Sequence, residues 1–101
     1  MIIRQKDKKA LIDIMTKSLN SPCRLIAFGS RVNGEAHSTS DLDLVIKSKD
    51  KKPIDIDEFI RFKKALRDSN IPILIQLIDW YRVPKSFHKN ILENCEEVVE
   101  I

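Results

Sequence analysis

The chain has 101 residues, 43% of them hydrophobic and 33% charged. That is one domain with a real core and an ionic surface, and it excludes a disordered or low-complexity polymer. Lys and Arg number 18 against 15 Asp and Glu, a net charge of +3, so a nucleic-acid partner is not expected. Two cysteines, Cys23 and Cys95, exclude a disulfide framework and a four-thiolate zinc site. The uncharged run around Ile71 to Ile78 is too short for the ~20 residues of a bilayer span. The start, Met1 to Lys6, turns charged at once and lacks an apolar signal core. A small soluble cytoplasmic domain with no membrane attachment is therefore expected.

Neither repeat nor linker divides the chain, so 1–101 is read as a single domain. Leu11, Ile12, Met15 and Leu19 recur at helical spacing and predict a first helix from about Asp7, stopped at Asn20-Ser21-Pro22. Arg24 to Phe28 is a short apolar run that reads as a buried strand. Gly29-Ser30 ends it, 31–36 has room for a short helix, and His37 to Ser40 is loop composition. Asp41 to Ile46 predicts a second strand, and Lys47 to Pro53 a charged loop. Asp55 offers an N-cap, with Glu58 at the spacing of a capping box. The helix behind it carries Ile56, Phe59, Ile60 and Leu66 and stops at Asn70. Ile73 to Ile78 predicts a third strand, apolar except for Gln76. Pro84 suits the start of a last helix, which Phe87, Ile91, Leu92 and Cys95 continue, with a small terminal strand at Val98 to Ile101. The order αβαβαβα predicts an α/β (α+β) fold, a small mixed sheet packed by helices.

The chemistry concentrates between Gly29 and Leu44. Asp41 and Asp43 sit two apart on an otherwise apolar strand, so both point to the same side as Val45, while Leu42, Leu44 and Ile46 face the core. Paired carboxylates resist ionising together unless a cation neutralises them, and a hard divalent ion such as Mg²⁺ is the economical explanation. Taken alone, the pair reads first as a loop cap at Asp41 and a solvated edge residue at Asp43 rather than as a metal pair. The Gly29-Ser30 step changes that balance. A glycine between a buried strand and a helix start lets backbone N–H groups approach an anion, and the Ser30 hydroxyl adds a donor. A phosphate cradle beside metal carboxylates is what a nucleoside triphosphate requires.

Gly-Ser, ten residues and then Asp-x-Asp closely resembles the active-site signature of the nucleotidyltransferase superfamily that includes DNA polymerase beta. The Gly-Ser-Arg-x-x-Gly start and the Ser-Asp-Leu-Asp-Leu ending are similar to its minimal nucleotidyltransferase (MNT) branch. This resemblance spans the chain from the first helix to the Phe87 helix. It implies the nucleotidyltransferase fold, ATP as substrate and two Mg²⁺ ions. Gly29 and Ser30 would position the triphosphate, and Asp41 and Asp43 would hold the metals for in-line attack on the alpha phosphate. Arg31 reads equally as a phosphate contact and as a helix-surface arginine. Domains of this kind are similar to antitoxins of HEPN toxins, so AMP transfer to a hydroxyl of a HEPN-like helical partner is implied, within a hetero-oligomer. A chain of this length has room for the nucleotide half of such a reaction, and a separate protein is expected to bring the acceptor.

The resemblance also calls for a third carboxylate on a later strand. In related domains the run is similar to Val-Asp-Leu-Leu-Asp-Trp, and here it is Ile75-Gln76-Leu77-Ile78-Asp79-Trp80. The catalytic position then falls on Gln76, whose amide cannot take a proton from an acceptor hydroxyl. Asp79 is the remaining candidate, although three residues on it faces the opposite side of a regular strand. Gln76 thus supports an alternative function, a catalytically weak or inactive nucleotide- and partner-binding module that neutralises a HEPN-like protein by complex formation. His37 and His88 are expected at the surface, Cys23 and Cys95 as packed thiols, and Trp80-Tyr81 as an anchor for the final helix.

Overall fold

The computed structural model describes residues 5–29, 42–69, 71 and 74–100. Helical periodicity places α1 at Gln5–Ser18, with Leu11 and Met15 completely buried. Past Pro22 the chain enters β1, Cys23–Phe28, and β2, Leu42–Ser48, runs back antiparallel with Phe28 opposite Asp43. Helix α2, Ile56–Arg67, leads to β3, Ile75–Asp79, then α3, Lys85–Glu93, and β4, Cys95–Glu100. The sheet order is β3-β2-β1-β4. Strand β3 lies parallel to β2, as an intervening helix allows, and β4 lies antiparallel to β1. This is the mixed, helix-packed sheet expected from the sequence, with β4 longer than predicted. The short helix at 31–36, the Asn70 stop, Ile73 and Ile101 lie outside the described residues.

Strand alternation sorts the sheet into two faces. Leu25, Leu42, Leu44 and Ile46 turn to one side and join Met15 of α1 and Phe62 of α2 in the main core. Burying a side chain of that size contributes ~1.5–3 kcal/mol, so this face dominates stability. On the other face, Phe87 of α3 meets Phe28 edge-on with ring centroids 6.2 Å apart. Val45 shares that face with Asp43, yet it is fully buried, as is Ile91 of α3. Both faces of β2 are therefore covered along most of its length.

Local chemistry departs from expectation at Glu58 and at His88. Asp55 caps α2 by accepting from the Asp57 N–H, but Glu58 does not complete a capping box. Its Oε1 accepts from the Asn20 N–H at 2.7 Å, which ties the end of α1 to the start of α2. His88 is half-buried rather than a surface residue. Its ring stacks on Trp80 at 3.7 Å, and Nε2 lies 2.6 Å from the Trp80 carbonyl oxygen, so Trp80 does anchor α3.

Cys23 is a packed thiol, whereas Cys95 is exposed on β4. Burial, reinforced by the carboxylates of Glu58, Asp79 and Asp50, pushes the Cys23 thiol up from 9.0 to about 11. The folded chain keeps this proton where the unfolded chain releases it, so the Cys23 contribution to stability falls as pH rises from about 9 to 11. At pH 8, Ellman's reagent is expected to react rapidly with Cys95 and with Cys23 only after denaturation, because the thiolate is the reactive form. Two fast thiols in the folded protein would contradict this assignment.

Candidate functional site

The site begins where β1 ends. Gly29 has a φ of +84°, a conformation that costs an L-residue with a Cβ ~1–2 kcal/mol. Its absent side chain has a second consequence. A Cβ built at position 29 would lie 2.8 Å from Asp43 Oδ2, closer than nonbonded atoms tolerate. Glycine is thus required twice, for the turn and for the approach of its backbone to the carboxylate. Gly29→Ala is expected to lower Tm by several degrees, since ~1 kcal/mol corresponds to roughly 4–8 °C in a domain of this size. It would also displace the Asp43 side chain, and calorimetry together with nucleotide titration checks both effects.

Asp43 is half-buried on β2 and stands in register between Phe28 of β1 and Gln76 of β3. Gln76 is exposed, while its neighbours Leu77 and Asp79 are buried. Phe28, Asp43 and Gln76 therefore form one row across three adjacent strands, on the face opposite the main core, and Gly29 follows directly after the end of β1. A carboxylate there, beside a main-chain turn, can attract a cation or accept from a donor at the mouth of the turn. Among the described residues, no three His, Cys, Asp or Glu side chains gather as a metal-ligand group. Ser30, Arg31 and Asp41, the remaining candidates read from the sequence, lie outside the described residues.

Asp79 is engaged elsewhere. It is 2% exposed and lies opposite Ile46, three positions along the strand from Gln76, roughly 10 Å at the usual rise per residue. Oδ2 accepts from the Ile54 N–H at 3.1 Å and Oδ1 from the Tyr81 N–H at 2.9 Å. Arg82 Nε stands 3.6 Å from Oδ2, and the same guanidinium donates to the Ile54 carbonyl. These contacts clamp the end of β3 to the segment before α2. Reading the sequence alone missed this use, because nothing local reveals that Ile54 comes to meet position 79.

The small mixed sheet, with α1 and α2 on one face and a glycine turn against a strand carboxylate on the other, has the architecture of a nucleotidyltransferase. The chain belongs to the Polymerase beta, nucleotidyltransferase family, which it matches over residues 9–101. It is 33% identical over 85 residues to the probable protein adenylyltransferase MntA of Haemophilus influenzae, covering 84% of this chain and 73% of that protein. Among solved structures it is similar to a chain of a toxin-antitoxin structure with AMP-PNP, with a TM-score of 0.73, 15% identity, and coverage of 94% and 74% of the two chains. A chain from the Shewanella oneidensis complex of a tri-AMPylated HEPN toxin with an MNT antitoxin superposes with a TM-score of 0.69 at 13% identity, covering 98% and 74%. A minimal nucleotidyltransferase gives 0.66 at 20% identity, covering 91% and 89%. At these identities the structural likeness establishes the fold.

Proposed function

We propose that this protein transfers AMP from ATP to a hydroxyl of a HEPN-type partner protein and acts as that partner's antitoxin. One observation carries the reading: the Gly29 turn is held against the Asp43 carboxylate, as a triphosphate site beside a metal ligand requires. The adenylyltransferase name of the Haemophilus influenzae relative and the toxin-antitoxin complexes among the structural neighbours support it. In this reading the backbone at Gly29 and Ser30 orients the triphosphate, with Arg31 beside it, and Asp41 and Asp43 hold Mg²⁺. The close approach of the Gly29 backbone to Asp43 Oδ2, which a Cβ would block, supports that arrangement. When bound, Mg²⁺ would offset the negative charge that develops on the phosphate oxygens during transfer. A HEPN protein co-expressed with the chain is expected to gain label from α-labelled ATP, and absence of label in a stable complex would count against the reaction.

Gln76 favours a second reading, in which the same site binds nucleotide and partner but transfers poorly. It stands beside Asp43 across the β2–β3 ladder, and an amide cannot serve as a general base there. Gln76→Asp is then expected to raise the transfer rate by about 100-fold or more, within the usual range for a positioned base. An unchanged rate in the folded variant would remove this second reading.

A further inference from the structure

The two edges of the sheet are not alike. Strand β4 closes one edge and carries Glu96, Glu97 and Glu100, exposed carboxylates of the kind that discourages strand addition. Strand β3 closes the other with the sequence Ile-Gln-Leu-Ile-Asp and has no such guard until the buried Asp79. The Leu42 N–H donates to the Leu74 carbonyl and the Trp80 N–H to the Ile46 carbonyl. Those bonds fix the alternation along β3, so the main-chain groups of Ile75 and Leu77 point away from β2, to the outer edge. A groove of about 670 Å³ runs along this edge between β3 and α2. Its apolar lining includes Ile60 and Leu74, which are 57% and 64% exposed. Lys63, Lys64 and Arg67 of α2 line it as well, and the groove reaches Gln76 in the row with Asp43.

We propose that the β3 edge receives an extended, acidic segment of the partner protein as an added strand. Its main chain pairs with Ile75 and Leu77, and its alternate side chains face Lys63, Lys64 and Arg67. The intervening side chains then emerge on the face of Gln76 and Asp43, so a hydroxyl among them arrives beside the candidate site. That last placement rests on the proposed transfer reaction, whereas the docking itself does not. Charge selects this occupant over a second copy of the chain, because β3-to-β3 pairing would bring two sets of the same cations onto one groove.

The test uses the full-length ¹⁵N-labelled chain and the capped peptide Glu-Val-Glu-Tyr-Glu-Val-Glu, with its lysine-for-glutamate twin as comparison. Binding is expected to slow amide exchange at Ile75 and Leu77 by about tenfold or more and to leave β4 unchanged. Alternate-residue N-methylation of the peptide is expected to abolish binding, since it removes the ladder donors. The triple variant Lys63→Glu, Lys64→Glu, Arg67→Glu, with all three changes on the exposed side of α2, is expected to bind about tenfold or more weakly. Equal affinity for the lysine peptide, protection on β4 instead of β3, or a concentration-dependent dimer through β3 would overturn the proposal. AMP transfer is scored separately on the peptide tyrosine. Protection at β3 without transfer supports the docking and counts against the reaction. Transfer without protection at β3 does the reverse.

Discussion

Asp43→Asn is expected to lower AMP transfer by about 1,000-fold while leaving the fold intact. Asparagine preserves the shape of the side chain and removes its charge. A metal-held triphosphate depends on that charge for several kcal/mol of transition-state stabilisation, and each 1.36 kcal/mol is a factor of ten in rate. The side chain is only half-buried and lies outside the main core, so its effect on Tm should be small. Parallel measurement of transfer from α-labelled ATP and of thermal unfolding separates the two effects. A variant that keeps its rate would show that Asp43 does not serve the chemistry, and the Gly29–Asp43 approach would then be a packing feature alone. Loss of rate with a large drop in Tm would point the same way, because a structural role would then account for the defect.

Asp79→Ala is expected to destabilise the protein by about 2–4 kcal/mol. The change strands the buried N–H of Ile54 and the half-buried N–H of Tyr81, which donate to this carboxylate, and takes the counter-charge from Arg82. An unmade buried hydrogen bond costs ~1–3 kcal/mol, more than the bond itself contributes when formed. Denaturant unfolding measures the loss, with the m-value expected to stay constant. Nucleotide affinity in the folded fraction should change little, since Asp79 lies on the other face of the sheet from Asp43. If transfer fell as steeply as in Asp43→Asn with stability preserved, Asp79 would have to be returned to the catalytic site. The two substitutions thus assign opposite jobs to two aspartates.

Much of this was legible in the residues themselves. Helical spacing at Leu11 and Met15 and the alternation of Leu42, Leu44 and Ile46 are local patterns, and each element among the described residues formed within a few residues of its expected place. The exceptions are instructive. Glu58 has the spacing of a capping box, yet the Asn20 N–H, distant in sequence and close in space, takes its carboxylate. Cys95 continues a helical pattern on paper but enters β4, where pairing with β1 outweighs local periodicity. Val45 takes the side of Asp43, as strand alternation requires, yet is fully buried there.

For the site, the residue order alone determined that Gly29 follows a buried strand and that Asp43 stands on the polar face of the next one. The resemblance to minimal nucleotidyltransferases added the expectation that Gln76 takes the place of a carboxylate. The register that sets Asp43 beside Gln76, the clamp that engages Asp79 and the place of β3 at the edge of the sheet among the described residues were decided only by tertiary structure. The division has one physical cause. Which face a side chain takes follows from the geometry of its own strand, but which residue stands beside it depends on how distant segments pair. In a chain of 101 residues that pairing also decides which strands stand at the two edges of the sheet.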